Sequence, residues 1–238
     1  MTEAEWLTSA SPKAMLALLA GTSSPRKLRL FACACCRRVW RLLSDERSRR
    51  AVEANERFAD HLAGEAELHM AQQDAVHAAS EAWAATLAAR EAAEQAPPTD
   101  VLTRIAHLRE AEYDAKWAAA WLGEAEPERT AALTAWAAGW HTGRAKEQEE
   151  QCQADLVRDI FNPFHPLAGA GSSCPWPAGE VLGTALAIYH ERRFAELPVL
   201  ADLLQETGCD NADVLAHCRS GREHVRGCWV LDLLLGKQ

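Results

Sequence analysis

The stretch HCRSGREHVRGCWVLDLLLGK, His217 to Lys237, sets two histidines and two cysteines ahead of a leucine-rich close. Together with the nearby Cys209, the side chains of Cys218, His224 and Cys228 offer the thiolate and imidazole ligands that tetrahedral zinc prefers. His224 and Cys228 stand four apart and are expected on one helical face, and His217 is a further candidate. The spacing departs from the paired C-x2-C signature of zinc sites, and Cys218 must meet His224 across the turn RSGRE. A rival account is simpler: His224, Cys228, Leu231 and Leu235 recur at steps of four, three and four, a core stripe in which cysteine is a small hydrophobe. The expectation is therefore buried, reduced thiols and no cofactor, with structural zinc as the alternative.

Two other groups of residues are able to do chemistry. Arg219 and His224 in RSGREH have the R-x4-H spacing of some helical ribonucleases, where the pair addresses a phosphate and the 2′-hydroxyl; here Gly221 interrupts it and predicts a turn. Arg37, Arg38 and Arg41, with Trp40 beside them for stacking, form a basic group suited to an acidic partner or RNA. They belong to a segment, 26 to 50, with nine Lys/Arg against Asp45 and Glu46, followed by a strongly acidic one, so mutual neutralisation of neighbouring helices is the plainer reading. Cys33, Cys35 and Cys36 are C-x-C-C on one helix, which splays the thiols around the axis and marks them as core. No Gly-rich phosphate loop, G-x-S-x-G or H-E-x-x-H occurs.

The elements that must position these residues read as helices almost throughout. Short helices are expected at 3 to 8 and 12 to 20, then an amphipathic one through Leu28, Phe31, Cys35, Val39 and Leu42. From 45 to 95 there is no proline and a single glycine, Gly64, which predicts one long helix or two with a kink, carrying Phe58, Leu62, His69, Val76, Trp83 and Leu87 as a sparse apolar stripe. Pro97 and Pro98 end it. A second helix runs to about Leu122 and a third from Pro127 to Ile160, alanine-rich and punctuated by Trp117, Trp121, Trp136 and Trp140, which are core by their spacing or else the lining of a groove. The Pro/Gly-rich stretch 161 to 178 forbids helix, and four short helices follow. The predicted fold is all-α: long antiparallel helices in a bundle or hairpin over 1 to 160, a structured linker over 161 to 178, and a small helical unit over 179 to 238.

A formal charge of −9 argues against a surface that tracks nucleic acid along its whole length. The opening residues lack a basic region ahead of an apolar run, and no stretch approaches the roughly 20 apolar residues of a membrane span, so a cytoplasmic protein with reduced cysteines is expected, without a membrane partner. The segments LRLFACACCRRVWRLLSDERSRRAVE, LVRDIFNPFHP, AIYHERRFAELPVLADLLQETGCDNADVLAHC and HVRGCWVLDLLLGK resemble a highly paralogous, uncharacterised family of planctomycete-type bacterial proteins. The resemblance covers both ends and leaves about 60 to 150 unmatched, as a variable arm would. It carries no catalytic residue with it and implies a helical accessory or interaction protein. The function expected is a non-enzymatic adaptor or scaffold with a protein partner; the alternative is a nucleic-acid-associated protein, a ribonuclease using Arg219 and His224.

Overall fold

The structure, a computed structural model, describes residues 1–95, 100–124, 127–142, 146–164 and 179–237. The described residues are 79% helical, and among them there is no strand. It divides into two compact units: Thr8–Ala154, and Met1–Leu7 together with Asp155–Gln238. The division differs from the sequence boundary at residue 160, because the helix that closes the long-helix region gives its last turn to the C-terminal unit.

Helix starts follow from local chemistry. In α1 (Glu3–Thr8), α2 (Pro12–Leu19), α3 (Pro25–Arg38) and α4 (Glu46–Ala59), the last three are opened by Ser11, Ser24 and Asp45, whose side chains accept backbone N–H groups of the first turn, and proline fills the first position of α2 and α3. The stretch from 45 to 95 is broken, not merely kinked. His61 takes a left-handed φ of 58°, and its amide and that of Leu62 donate to the carbonyls of Phe58 and Arg57, the paired bonds that close a helix end. The chain restarts as α5 (Glu65–Gln95), followed by α6 (Asp100–Ala120), α7 (Pro127–Thr142) and α8 (Lys146–Ile160). The single helix expected over 127 to 160 is thus two.

α5 and α6 are antiparallel: Gln72 Nε2 donates to the Ala120 carbonyl, whereas Thr86 Oγ1, farther along α5, donates back to the Arg109 carbonyl. Their seam is made of small side chains. On α5 the buried residues are Ala75, Ala78, Ala79 and Thr86, of which Ala75 and Ala79 pack with Ala120 and the partly buried Trp117 and Trp121 of the α6 end, while Ala111, Ala115, Ala118 and Ala119 turn the other side of α6 to Cys33, Cys36, Val39, Val52 and Ala137. The large apolar side chains of the stripe face outward: Leu62, Val76, Trp83 and Leu87 are exposed, as are Met70 on α5 and Val101, Ile105 and Leu108 on α6. Alanine permits the closest approach of two helix axes, so it takes the interior and leaves the large side chains outside. Trp83, Tyr113, Trp117 and Trp121 contact one another in turn, the first pair tilted and the next two edge-on, with ring centroids 5.2, 6.3 and 6.0 Å apart. Trp136 is exposed, and the side chain of Trp140 lies outside what is described.

The second unit is built from α1, the end of α8, and α9 (Glu180–Glu191), α10 (Leu197–Glu206), α11 (Ala212–Cys218) and α12 (Trp229–Leu235). Trp6 is buried, its carbonyl accepts Arg158 Nη1 at 2.9 Å, and its ring meets Phe164 edge-on. The core runs through Ile188, Tyr189, Leu197, Leu200, Leu204, Val214, Trp229 and Leu231. Most of the linker stretch, with Cys174 and Trp176, lies outside the described residues. No described helix is long and apolar enough to cross a membrane.

Candidate metal centre

Three pieces of chain converge in the second unit. The last turn of α8 supplies Asp159, held in place by its buried neighbours Leu156, Val157 and Ile160. Asn211 caps α11 by accepting from the amides of Asp213 and Val214, and the other end of that helix supplies His217. The loop between α11 and α12 supplies His224 and Cys228. Gly221 there has a φ of +63°, and Gly227 one of +89° at the third position of a turn closed by Cys228 N–H donating to the Val225 carbonyl at 3.1 Å. That is the position at which a type II turn requires glycine. The helix expected to carry both His224 and Cys228 does not form over those residues: α12 begins only at Trp229, and Cys228 sits at its cap. His224 and Cys228 come together through a turn, not along a helical face.

The carboxylate of Asp159 is the hub. Its Oδ1 lies 2.5 Å from His224 Nδ1 and 3.1 Å from His217 Nε2, and its Oδ2 accepts the Val225 amide at 2.9 Å. His217 Nε2 is also 3.2 Å from Cys228 Sγ, while its Nδ1 accepts the Trp229 indole N–H at 2.9 Å. Ser220 Oγ stands 3.4 Å from His224 Nε2. Asp159 and Cys228 are almost fully buried and His224 nearly so, with His217 at the margin. Burial works to raise the Asp159 carboxyl, but the hydrogen bonds and charge of His217 and His224 prevail and hold it below its usual range. Burial, reinforced by Asp159, pushes the Cys228 thiol well up. A sealed thiol held protonated is the opposite of an activated nucleophile, so the Cys–His–Asp sequence of contacts does not make a protease-like triad. What it does make is a ligand set: carboxylate, two imidazoles and a sulfur, whose donor atoms all lie within 4.8 Å of one another.

Of the residues the sequence singled out here, His224, Cys228 and His217 are brought together. Cys209 and Cys218 are not: they pack in the apolar core with Leu200, Leu204 and Val214, and burial pushes the Cys218 thiol up to about 12. Asp159 was missed. It stands 58 residues before His217 on another helix, and no spacing rule connects the two. The ribonuclease pair is not assembled either, since Arg219 Nη2 donates to Asp202 Oδ1 and Gln205 Oε1 while His224 turns inward to Asp159. In the basic segment, Arg37 forks onto Glu56 with its guanidinium stacked 3.9 Å above Trp40, and Arg38 forks onto Glu149; Arg41 is exposed. Cys33, Cys35 and Cys36 are all buried in the core, as their helical spread required. No family model, curated protein or solved structure matches this chain.

Proposed function

We infer that this chain is a non-enzymatic helical interaction protein whose α5–α6 hairpin engages a basic, apolar segment of another protein. The reading rests on the inverted seam of the hairpin: small residues fill the interior, and Trp83, Leu87, Ile105 and Leu108 stand exposed. Such rows on a soluble helix usually mark a contact surface. Charge favours a basic partner, because α5 carries Glu65, Asp74, Glu91 and Glu94, besides Glu67 and Glu81 that Arg57 and Arg47 engage, against Arg90 alone. The nucleic-acid reading gains nothing from the basic segment, whose Arg37 and Arg38 are engaged by Glu56 and Glu149.

The test is site-specific photocrosslinking in the native host, with a photoreactive phenylalanine analogue placed at Leu87 or Ile105 and, as a control in the other unit, at Leu182. We expect one protein adduct at the two hairpin positions, absent at the control, weakened by salt, and crosslinked through a lysine- or arginine-rich peptide. No adduct at the hairpin, equal labelling at Leu182, or an adduct only to a second copy of this chain defeats the proposal.

A further inference from the structure

We propose that Asp159, His217, His224 and Cys228 bind one zinc-class divalent cation as a closed structural site, and that binding takes His217 away from Trp229. The expectation from spacing ran the other way. It rested on a ligand set containing Cys209 and Cys218, and the structure replaces these two with His217 and Asp159. One thiol, two imidazoles and one carboxylate suit a borderline-soft ion with tetrahedral preference. Bonds of about 2.0 to 2.3 Å place tetrahedral ligands roughly 3.2 to 3.7 Å apart. His217 Nε2 already lies 3.1 Å from the Asp159 oxygen and 3.2 Å from the Cys228 sulfur. The 2.5 Å approach of His224 to Asp159 opens by less than an ångström when a cation replaces the hydrogen bond.

The surrounding groups match what a metal site needs behind its ligands. The Val225 amide holds Asp159 Oδ2 and leaves Oδ1 facing the cluster. Ser220 Oγ stands behind His224, where its Nε2–H finds an acceptor once Nδ1 binds metal. The charges also close: a divalent cation with one thiolate, one carboxylate and two neutral imidazoles is neutral, as a buried site requires.

Trp229 gives this site a particular chemistry. A neutral His217 that accepts the indole N–H at Nδ1 carries its proton on Nε2, the atom the metal needs. Binding therefore forms a zinc–sulfur bond with release of the Cys228 thiol proton to solvent, a zinc–Nε2 bond at His217 with the imidazole proton re-placed on Nδ1, and a zinc–Nδ1 bond at His224 with the proton of its Asp159 hydrogen bond re-placed on Nε2, toward Ser220 Oγ. A protonated Nδ1 no longer accepts from Trp229, so the indole gives up that hydrogen bond. Four protein ligands leave no open position for a reacting water, which makes the site structural.

The experiment uses the full chain, stripped by chelation, reloaded with zinc or cobalt(II) and passed through gel filtration. We expect one metal per chain, a tetrahedral cobalt spectrum with a sulfur charge-transfer band, and a higher melting temperature for the loaded protein. Cys228→Ser removes the sulfur band and Asp159→Asn weakens retention, while Cys209→Ser and Cys218→Ser keep one metal. Trp229→Phe, which keeps the ring and removes the competing donor, binds zinc roughly three- to tenfold more tightly, the worth of one hydrogen bond. A folded wild type that retains no zinc, or an octahedral cobalt spectrum without the sulfur band, overturns the site whether or not the variants fold. Unchanged or weaker zinc binding in a folded Trp229→Phe overturns the exchange at His217.

Discussion

Asp114 on α6 shows how one side chain is set by where its helix packs. Burial, with Glu110 one turn away, raises its carboxyl to about 7. A carboxyl raised in the folded state opposes folding as it ionises. The penalty is absent below the ordinary value near 4, grows as pH rises from about 4 to 7, and is complete above that. Solvent screens part of it, because the side chain is only half-buried. Asp114→Asn should therefore raise the melting temperature by a few degrees at pH 8, with the gain shrinking to nothing by about pH 4. Equal melting temperatures across that range would show that Asp114 ionises freely. The arginines illustrate the opposite case. Arg37 and Arg38 sit beside carboxylates on α4 and α8, so a segment that reads as strongly basic is internally balanced where it matters for packing.

At the scale of elements, the alanine faces of α5 and α6 fix what substitutions the hairpin tolerates. Ala115 is fully buried among Ala111, Ala118, Ala119 and Ala137, so Ala115→Leu inserts volume into a close helix contact and should cost about 1–3 kcal/mol. Leu87→Gln on the outward face should change stability by no more than about 0.5 kcal/mol. Chemical denaturation of the two variants separates these outcomes, and a larger loss for Leu87→Gln would reverse the assignment of inside and outside. This is also where the sequence was least legible. Composition and breakers yield the all-α class and most helix ends, because Ser24–Pro25, Asn211 and Gly208 act locally. The alanine content pointed to close helix seams, but the outward direction of the large residues on α5 was not available, since a stripe of large apolar residues normally marks the interior. The candidate site divides in the same way. His224 and Cys228 were visible as ligand types, but the turn at Gly227 that unites them overrides the helical periodicity, and Asp159 arrives from a helix that no local pattern links to them.

At the scale of the molecule, the second unit is non-contiguous: Met1–Leu7 and Asp155–Gln238 share one compact body while Thr8–Ala154 forms the other. Contacts so distant in sequence carry a loop-closure cost that must be met by burial. Trp6 is the residue placed to meet it. Its side chain is 3% exposed, its carbonyl accepts a hydrogen bond from the buried Arg158, and its ring packs on Phe164. The neighbouring turn of α8 carries Asp159, so the same short stretch both receives the N-terminal helix and supplies the hub of the His–Asp–His–Cys cluster. Trp6→Ala empties a large buried volume and should cost about 3–5 kcal/mol. The loss should be local to its unit. Hydrogen exchange of the variant should lose protection over α9 to α12 and the last turn of α8, while the α5 and α6 amides keep theirs, because exchange follows the cooperative unit that opens. Unchanged exchange in α9 to α12 would mean that the N-terminal helix is an ornament on that unit, not a member of its core.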